Sequence, residues 1–391
     1  MAIEASNEAG RHDRIRLGMV GGGQGAFIGA VHRIAARIDD QFELVAGALA
    51  SDPIRAKASA KELGLVDDRA YGSYEEMAKA EAARADGIEA VAIVTPNHMH
   101  APVAKAFLQA GIHVICDKPL TTTVAEAEEL VALVRTTGRV FVVTHNYTGY
   151  PMIRQARAMV ANGELGEIRL VQAEYLQDWL TERLEASGQK QAAWRTDPAR
   201  SGAGGCIGDI GTHAYNLACF VSGLALDELL AELSTFVEGR RLDDDVQILL
   251  RWKGGAKGML WASQVAVGNE NALTLRVYGS KGGLEWAQEN PNQLWFTPHG
   301  RPKQLLTRGG AGAIGDAARV TRIPSGHPEG YLEGFATIYA EAARAIHAAR
   351  AGRKPDPDIL FPSVEDGLAG VKFIDAAVKS SAGKGVWVRI G

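Results

Sequence analysis

Residues 15–20, a short apolar strand, run without a break into Gly21, Gly22, Gly23, Gln24 and Gly25. Residues 26–37 then adopt helical spacing, with Ile28, Val31, Ile34 and Ala35 on one side. Few folds accept a strand, a glycine loop and a helix in immediate succession. Glycine lets the backbone approach a diphosphate, and the free N–H groups of the helix start receive its negative charge. A dinucleotide fingerprint needs this context; a plain tight turn is the competing reading. The strict Gly-x-Gly-x-x-Gly spacing is not met. Gly21 and Gly23 fit, Ala26 replaces the third glycine, and the next glycine is Gly29, so a longer loop is expected. On the dinucleotide reading Gly21, Gly23, Gln24, Gly25, Ala26 and Phe27 face the cofactor.

The same alternation continues. Strands are expected at 42–50, 90–94, 113–116 and 140–144, and helices at 56–63, 73–84, 102–110 and 123–135. Repeated β-α units up to about residue 146 specify a parallel, doubly wound sheet, which binds ligands at its carboxyl edge. The ribose-binding acid expected after the second strand is missing from Leu49, Ala50, Ser51, Asp52 and Pro53. Asp52, directly before Pro53, reads as a helix N-cap. Ser51 and Arg55 either meet a 2′-phosphate or are solvated surface, so NAD is the expected cofactor with NADP not excluded. The third strand ends in Thr95, Pro96, Asn97, His98, Met99 and His100. With no acidic partner motif nearby, that histidine pair reads as a loop beside a cofactor, and no metal site is expected. The fourth strand ends in Asp117, Lys118 and Pro119. A buried strand needs no charged pair at its end, which marks this one as functional.

Beyond 146 the rhythm changes. A helix at 152–162 precedes an alternating strand at 168–177, a polar insertion, a glycine run at 202–208 and a helix at 209–220. Strands at 229–237, 245–252, 257–267 and 272–279 with glycine turns make a mostly antiparallel open sheet. Residues 301–328 read as a long loop and 331–349 as an amphipathic helix. The fold class is therefore α/β followed by α+β, with helices on one face of the second sheet. The expected division is a loose tail at 1–14, a dinucleotide domain at 15–146, and a substrate-binding and oligomerisation domain at 147–391. Asp209 and His213, four apart at a helix start, share one face, although a cap and a packed histidine would look the same. Trp179, Trp194 and Arg195 suit a sugar, and Trp-Arg is equally an ordinary packing pair.

Bulk properties narrow the function classes. A formal charge of -4 with no basic stripe argues against a nucleic-acid partner, and no apolar run reaches the length of a membrane span. Cys116, Cys206 and Cys219 are odd in number and follow no metal spacing, as in a reducing compartment. Residues 1–16 are polar and lack the apolar stretch of a secretory signal, so a cytoplasmic protein is expected.

The glycine loop, Thr95-Pro-Asn-His-x-His100, Asp117-Lys-Pro119 and Gly208-Asp-x-x-x-His213 occur in one order along the chain. Together they resemble the Gfo/Idh/MocA oxidoreductases, the family of glucose-fructose oxidoreductase and inositol dehydrogenase. The resemblance runs from about residue 15 to the helix at 331–349. It departs from the family pattern where Asp117 replaces the usual Glu and where the first loop is extended. It implies an NAD(P)-dependent dehydrogenase of a sugar, cyclitol or related polyol, working as a homodimer or homotetramer. It also implies a catalytic set of Lys118, Asp209 and His213, with Thr95, Asn97, His100, Asp117, Lys118 and Asn146 beside the cofactor. Tyr147, Tyr175, Gln177, Trp179, Trp194, Arg195 and His327 would face the substrate with that set. Oxidising a secondary alcohol requires a proton acceptor, and the imidazole of His213, with an ordinary pKa near 6.5, suits it. Lys118 would stabilise charge on the alcohol oxygen, and Asp209 would orient sugar and imidazole. Two other functions fit the motifs: a glycosidase that transiently oxidises C3, and a non-catalytic dinucleotide sensor.

Overall fold

A computed structural model describes residues 14–391, so the tail expected at 1–14 lies, apart from Arg14, outside the described residues. The first half alternates β1 (Ile15–Gly21), α1 (Phe27–Ile38), β2 (Phe42–Ala48), α2 (Pro53–Glu62), α3 (Tyr74–Ala83) and β3 (Ala90–Val94). It continues with α4 (His100–Gln109), β4 (His113–Cys116), α5 (Val124–Thr137) and β5 (Phe141–Val143). Local chemistry starts these helices. The Asp52 carboxylate accepts from Arg55 N at 2.8 Å to cap α2, and the Ser73 hydroxyl accepts from Glu76 N at 3.2 Å to cap α3. Thr123 and Glu126 form a reciprocal capping box on α5. The strands pair in parallel in the order β2-β1-β3-β4-β5, and β3, β4 and β5 are buried throughout. Strand order reverses between β1 and β3, so the crevice for a ligand opens beyond Gly21 and Val94, which are register partners.

The second half begins with α6 (Pro151–Ala161), β6 (Ile168–Leu176), α7 (Lys190–Arg195), α8 (Pro198–Ser201) and α9 (Thr212–Ser222). Strands β7 (Leu226–Ser234), β8 (Asp245–Trp252), β9 (Lys257–Ser263), β10 (Ala272–Gly279), β11 (Gly282–Ala287), β12 (Gln293–Pro298) and β13 (Gln304–Thr307) follow. The chain closes with α10 (Gly315–Arg319), α11 (Tyr331–Arg350), α12 (Val364–Ala382) and β14 (Val388–Arg389). These strands form one sheet of nine in the order β13-β12-β11-β10-β6-β9-β8-β7-β14, antiparallel except where β6 runs beside β9. Its inner face is packed by α6, α9 and α12 through Ile153, Leu217 and Phe373. Its outer face leaves Leu170, Leu249 and Met259 exposed on neighbouring strands.

Strands β11, β12 and β14 and helix α12 have no counterpart in the sequence reading, and two further features depart from it. The expected loop at 301–328 contains β13 and α10, elements too short to show periodicity. The long helix α11, although carried by the second half of the chain, packs into the first. Phe335, Ile338 and Tyr339 share a core with Ile15, Leu17 and Met19, and the Tyr339 hydroxyl lies 2.9 Å from His32 Nδ1. The boundary expected at 146 is therefore crossed by packing, because an amphipathic helix buries its apolar face wherever a complementary one is presented.

Candidate active site

The glycine loop has the shape that phosphate binding requires. Gly21, Gly22 and Gly25 have φ of 81°, 73° and 72°, a region that side chains with a Cβ rarely enter. A Cβ on Gly29 would stand 2.4 Å from Gly22 Cα, so Gly29, three positions beyond the expected spacing, lets α1 pack against the loop. Ala26 precedes α1 with no side-chain cap, and the first turn carries no acid. Its N–H groups and positive dipole end are thus left for an anion. The residues present fit a dinucleotide here. Gln24 is used differently from expectation: its N–H donates to Ser59 Oγ at 3.1 Å and its amide to Glu62, tying the loop to α2. Phe27, Ser51 and Arg55 are exposed, and neither Ser51 nor Arg55 makes a side-chain hydrogen bond among the described residues.

At the carboxyl edge beside the loop, Thr95 Oγ1 and Asn146 Nδ2 are buried without a protein partner, as groups awaiting a ligand are. Asn97 donates to the Ser201 carbonyl at 3.0 Å, joining the two halves of the chain. His100 does not face the crevice as a ligand. Its Nδ1 lies 2.8 Å from Pro119 O and its Nε2 3.0 Å from Thr95 O, so the ring is wedged between two loop carbonyls. The single N–H of the neutral imidazole that burial favours donates to one of them. Asp117 accepts from Lys118 N and from the Thr144 hydroxyl, each at 3.0 Å, which anchors the turn before the cis Lys118–Pro119 bond.

From this turn Lys118 reaches the second half. Its ammonium donates to Asp209 Oδ1 at 2.9 Å and to the Asp209 carbonyl at 2.5 Å. Asp209 sits in a π-helical turn, Ile207–Gly211, that leads into α9 and differs from the regular helix expected there. The Asp243 carboxylate holds the turn open by accepting from Gly205 N at 2.6 Å and Ile207 N at 2.8 Å. The other oxygen of Asp209 accepts from Arg195 Nε at 3.2 Å and Gln264 Nε2 at 2.9 Å. Burial alone would raise the Asp209 pKa, but the charges of Lys118 and Arg195 outweigh it and hold the carboxyl well below the usual range.

His213 follows one turn later. Its ring stands edge-on to Tyr147 at a centroid distance of 4.9 Å and to His145 at 5.4 Å, and its Nδ1 is buried with no partner. Burial, then the positive charge of Lys118, push its pKa well below 6.5, so the imidazole is neutral at physiological pH. This corrects the ordinary value assumed from sequence. His145 is drawn down to about 3, first by burial and then by Lys118.

One wall of the site is a hydrogen-bond chain. The hydroxyls of Tyr147 and Tyr175 lie 2.5 Å apart, and Tyr175 and the Gln177 amide both donate to Asn271 Oδ1 at 2.8 Å. Trp179 Nε1 donates to Gln177 Oε1 at 3.1 Å, and Asn271 Nδ2 continues to Gln288 at 2.9 Å. Trp194 lies under the Arg195 guanidinium at 4.3 Å. Gln264 and Asn271 had no signal in the sequence: each is a neutral amide in a loop flanking the sheet. His327, expected here, does not join the cluster. It is exposed, and its carbonyl is held by Arg308.

Comparison with known proteins bears on this arrangement. Residues 15–156 match the family model "Oxidoreductase family, NAD-binding Rossmann fold", and residues 153–285 match "GFO/IDH/MocA C-terminal domain". A crystal structure of an oxidoreductase from Sinorhizobium meliloti is 60% identical, covers 96% of this chain and 99% of its own, and superposes with a TM-score of 0.88. An inositol dehydrogenase homolog from Azotobacter vinelandii, complexed with NADH and myo-inositol, is 38% identical over 97% of this chain and 98% of its own, with a TM-score of 0.90. Levoglucosan dehydrogenase of Pseudarthrobacter phenanthrenivorans is 29% identical over 96% of this chain and 98% of its own.

Proposed function

The chain belongs to the Gfo/Idh/MocA oxidoreductases and binds NAD on its Rossmann domain, and from that premise we propose that it oxidises a secondary alcohol of a sugar, cyclitol or related polyol. The observation that carries this reading is the meeting of the Lys118 ammonium, the Asp209 carboxylate and a buried neutral His213 with an unpartnered nitrogen. NAD, when bound, supplies the acceptor for the hydrogen leaving carbon. The chain's own residues manage the alcohol oxygen and its proton. Lys118 has three N–H donors and gives two of them to Asp209, so the third is available to the substrate oxygen and favours negative charge on it. His213, neutral and beside Lys118, accepts the proton. Asp209, gripped by Lys118, Arg195 and Gln264, orients both neighbours. Tyr147, Tyr175, Gln177, Trp179 and Asn271 present the hydroxyl- and amide-rich wall that a polyhydroxylated ring requires. The relative holding NADH with myo-inositol supports the substrate class. We place the contact of a homodimer or homotetramer on the outer sheet face around Leu170, Leu249 and Met259. Among the described residues no helix is long and apolar enough to cross a membrane.

The test is net NADH formation from NAD with a panel of cyclitols, free sugars and anhydrosugars. Stoichiometric NADH from at least one of them is expected. No turnover on any of them by protein that binds NADH would overturn the reading, and turnover of a glycoside without net NADH would replace it with redox-assisted glycoside cleavage.

A further inference from the structure

Helix α7 lies in the polar insertion of the second half, with its two ends on different parts of the site. At its C-terminal end Arg195 holds the Asp209 carboxylate. At its N-terminal end Lys190 reaches back to the glycine loop of the first half. A Cβ built on Gly25 would have the Lys190 ammonium nitrogen at 3.9 Å and no other atom within 4 Å. Lys190 is exposed and makes no hydrogen bond or ion pair with any described residue. The other cation at the loop, Arg33, is already committed, donating to the Gly22 carbonyl at 2.8 Å. An ammonium group with no counter-ion among the described residues thus stands beside Gly25, in the loop whose N–H groups and following helix dipole end favour an anion.

We propose that Lys190 is a cofactor-binding residue, contributed by the second half of the chain, that pairs with the diphosphate of NAD across the glycine loop. It depends on the chain binding NAD and not on which alcohol is oxidised. Binding the diphosphate then fixes the start of the helix whose last residue grips the catalytic carboxylate. Lys190 and Arg195 are five residues apart, about 7.5 Å along a helix. The cofactor's phosphates and the alcohol site are thereby read by one short rigid element.

The test is fluorescence titration of full-length wild type, Lys190→Ala, Lys190→Glu and Lys190→Arg with NADH, repeated at raised ionic strength. Competition with ADP-ribose and with adenosine completes it. Loss of one exposed charge pair weakens NADH about fivefold in Lys190→Ala, and charge reversal weakens it further. Lys190→Arg stays near wild type. ADP-ribose, which keeps the diphosphate, loses affinity in parallel, and adenosine does not. The salt dependence of NADH binding becomes shallower in Lys190→Ala, because one screened pair is gone. Unchanged NADH affinity in both the alanine and glutamate variants, with a wild type that binds, overturns the proposal. A wild type that fails to bind NADH would overturn the cofactor assignment itself.

Discussion

Replacing Lys118 by methionine keeps the apolar stem and removes the charge. In the structure two of the three ammonium N–H groups go to Asp209, at 2.5 Å to the carbonyl and 2.9 Å to Oδ1, leaving one for a substrate oxygen. Losing a single donor aimed at developing negative charge costs about 10²–10³ in kcat, roughly 3–4 kcal/mol. The pH dependence should shift as well. After burial, the charge of Lys118 is the largest influence depressing the His213 pKa, while Asp209 opposes it. Removing the ammonium therefore raises that pKa. Neutral imidazole, the active form, is populated above the pKa, so the acid limb of kcat/KM moves to higher pH in the variant. In the wild type the limb lies well below 6.5. The cofactor loop is untouched, so NADH affinity should stay within about twofold, an energy difference below ~0.5 kcal/mol. Steady-state NADH formation across about pH 5–9, with NADH fluorescence titration alongside, checks all three outcomes. A kcat within about threefold of wild type would remove Lys118 from charge stabilisation. An acid limb that stays put or moves down would show that the titrating group is not His213.

Gln264→Leu removes one of the two donors to Asp209 Oδ2 and should lower kcat/KM about tenfold or more, the value of a hydrogen bond to a charged group, with NADH affinity unchanged. A loss of NADH affinity without a kinetic change would contradict that assignment. NADH should bind roughly tenfold more tightly than NADPH, because the Asp52 carboxylate capping α2 stands between Ser51 and Arg55, where a 2′-phosphate would be repelled. Equal or inverted affinities in the same titration would refute this. Unfolding should become easier between pH 7 and 5. Burial lowers His32 to about 4, His113 to about 4 and His145 to about 3, so their contribution is full above the unfolded value near 6.5 and is lost as pH falls towards those values. Asp243, raised to about 6 by burial, works in the opposite sense, being more favourable below that pH. At ~2 kcal/mol for each of these three histidines by pH 5, offset in part by Asp243, the loss is at least roughly 4 kcal/mol. His100 and His213, also lowered by burial, add in the same direction, and the loss is read as a lower urea midpoint. A midpoint that holds or rises would refute the balance.

Local periodicity and turn chemistry were enough to read the first half from sequence. The glycine loop, the Asp52 cap and the β-α alternation depend on residues within a few positions of one another, and the parallel sheet follows from their order. Lys118 stood out because it belongs to a charged pair, not needed for packing, at the end of a buried strand. Asp209 and His213, which a cap and a packed histidine would mimic, were singled out only through the family resemblance. Tertiary structure alone decided the rest. His100 became a brace because backbone carbonyls from two loops reached both ring nitrogens. His327 stayed outside because Arg308 holds its loop elsewhere. Gln264 and Asn271 entered the site because β9 ends and β10 begins beside it. Helix α11 crossed to the Rossmann core because its apolar face, with Phe335, Ile338 and Tyr339, packs against β1 and α1 there. Hydrogen bonds and burial between residues far apart in sequence leave no periodic trace, so the site's full chemistry is defined only after the two halves meet.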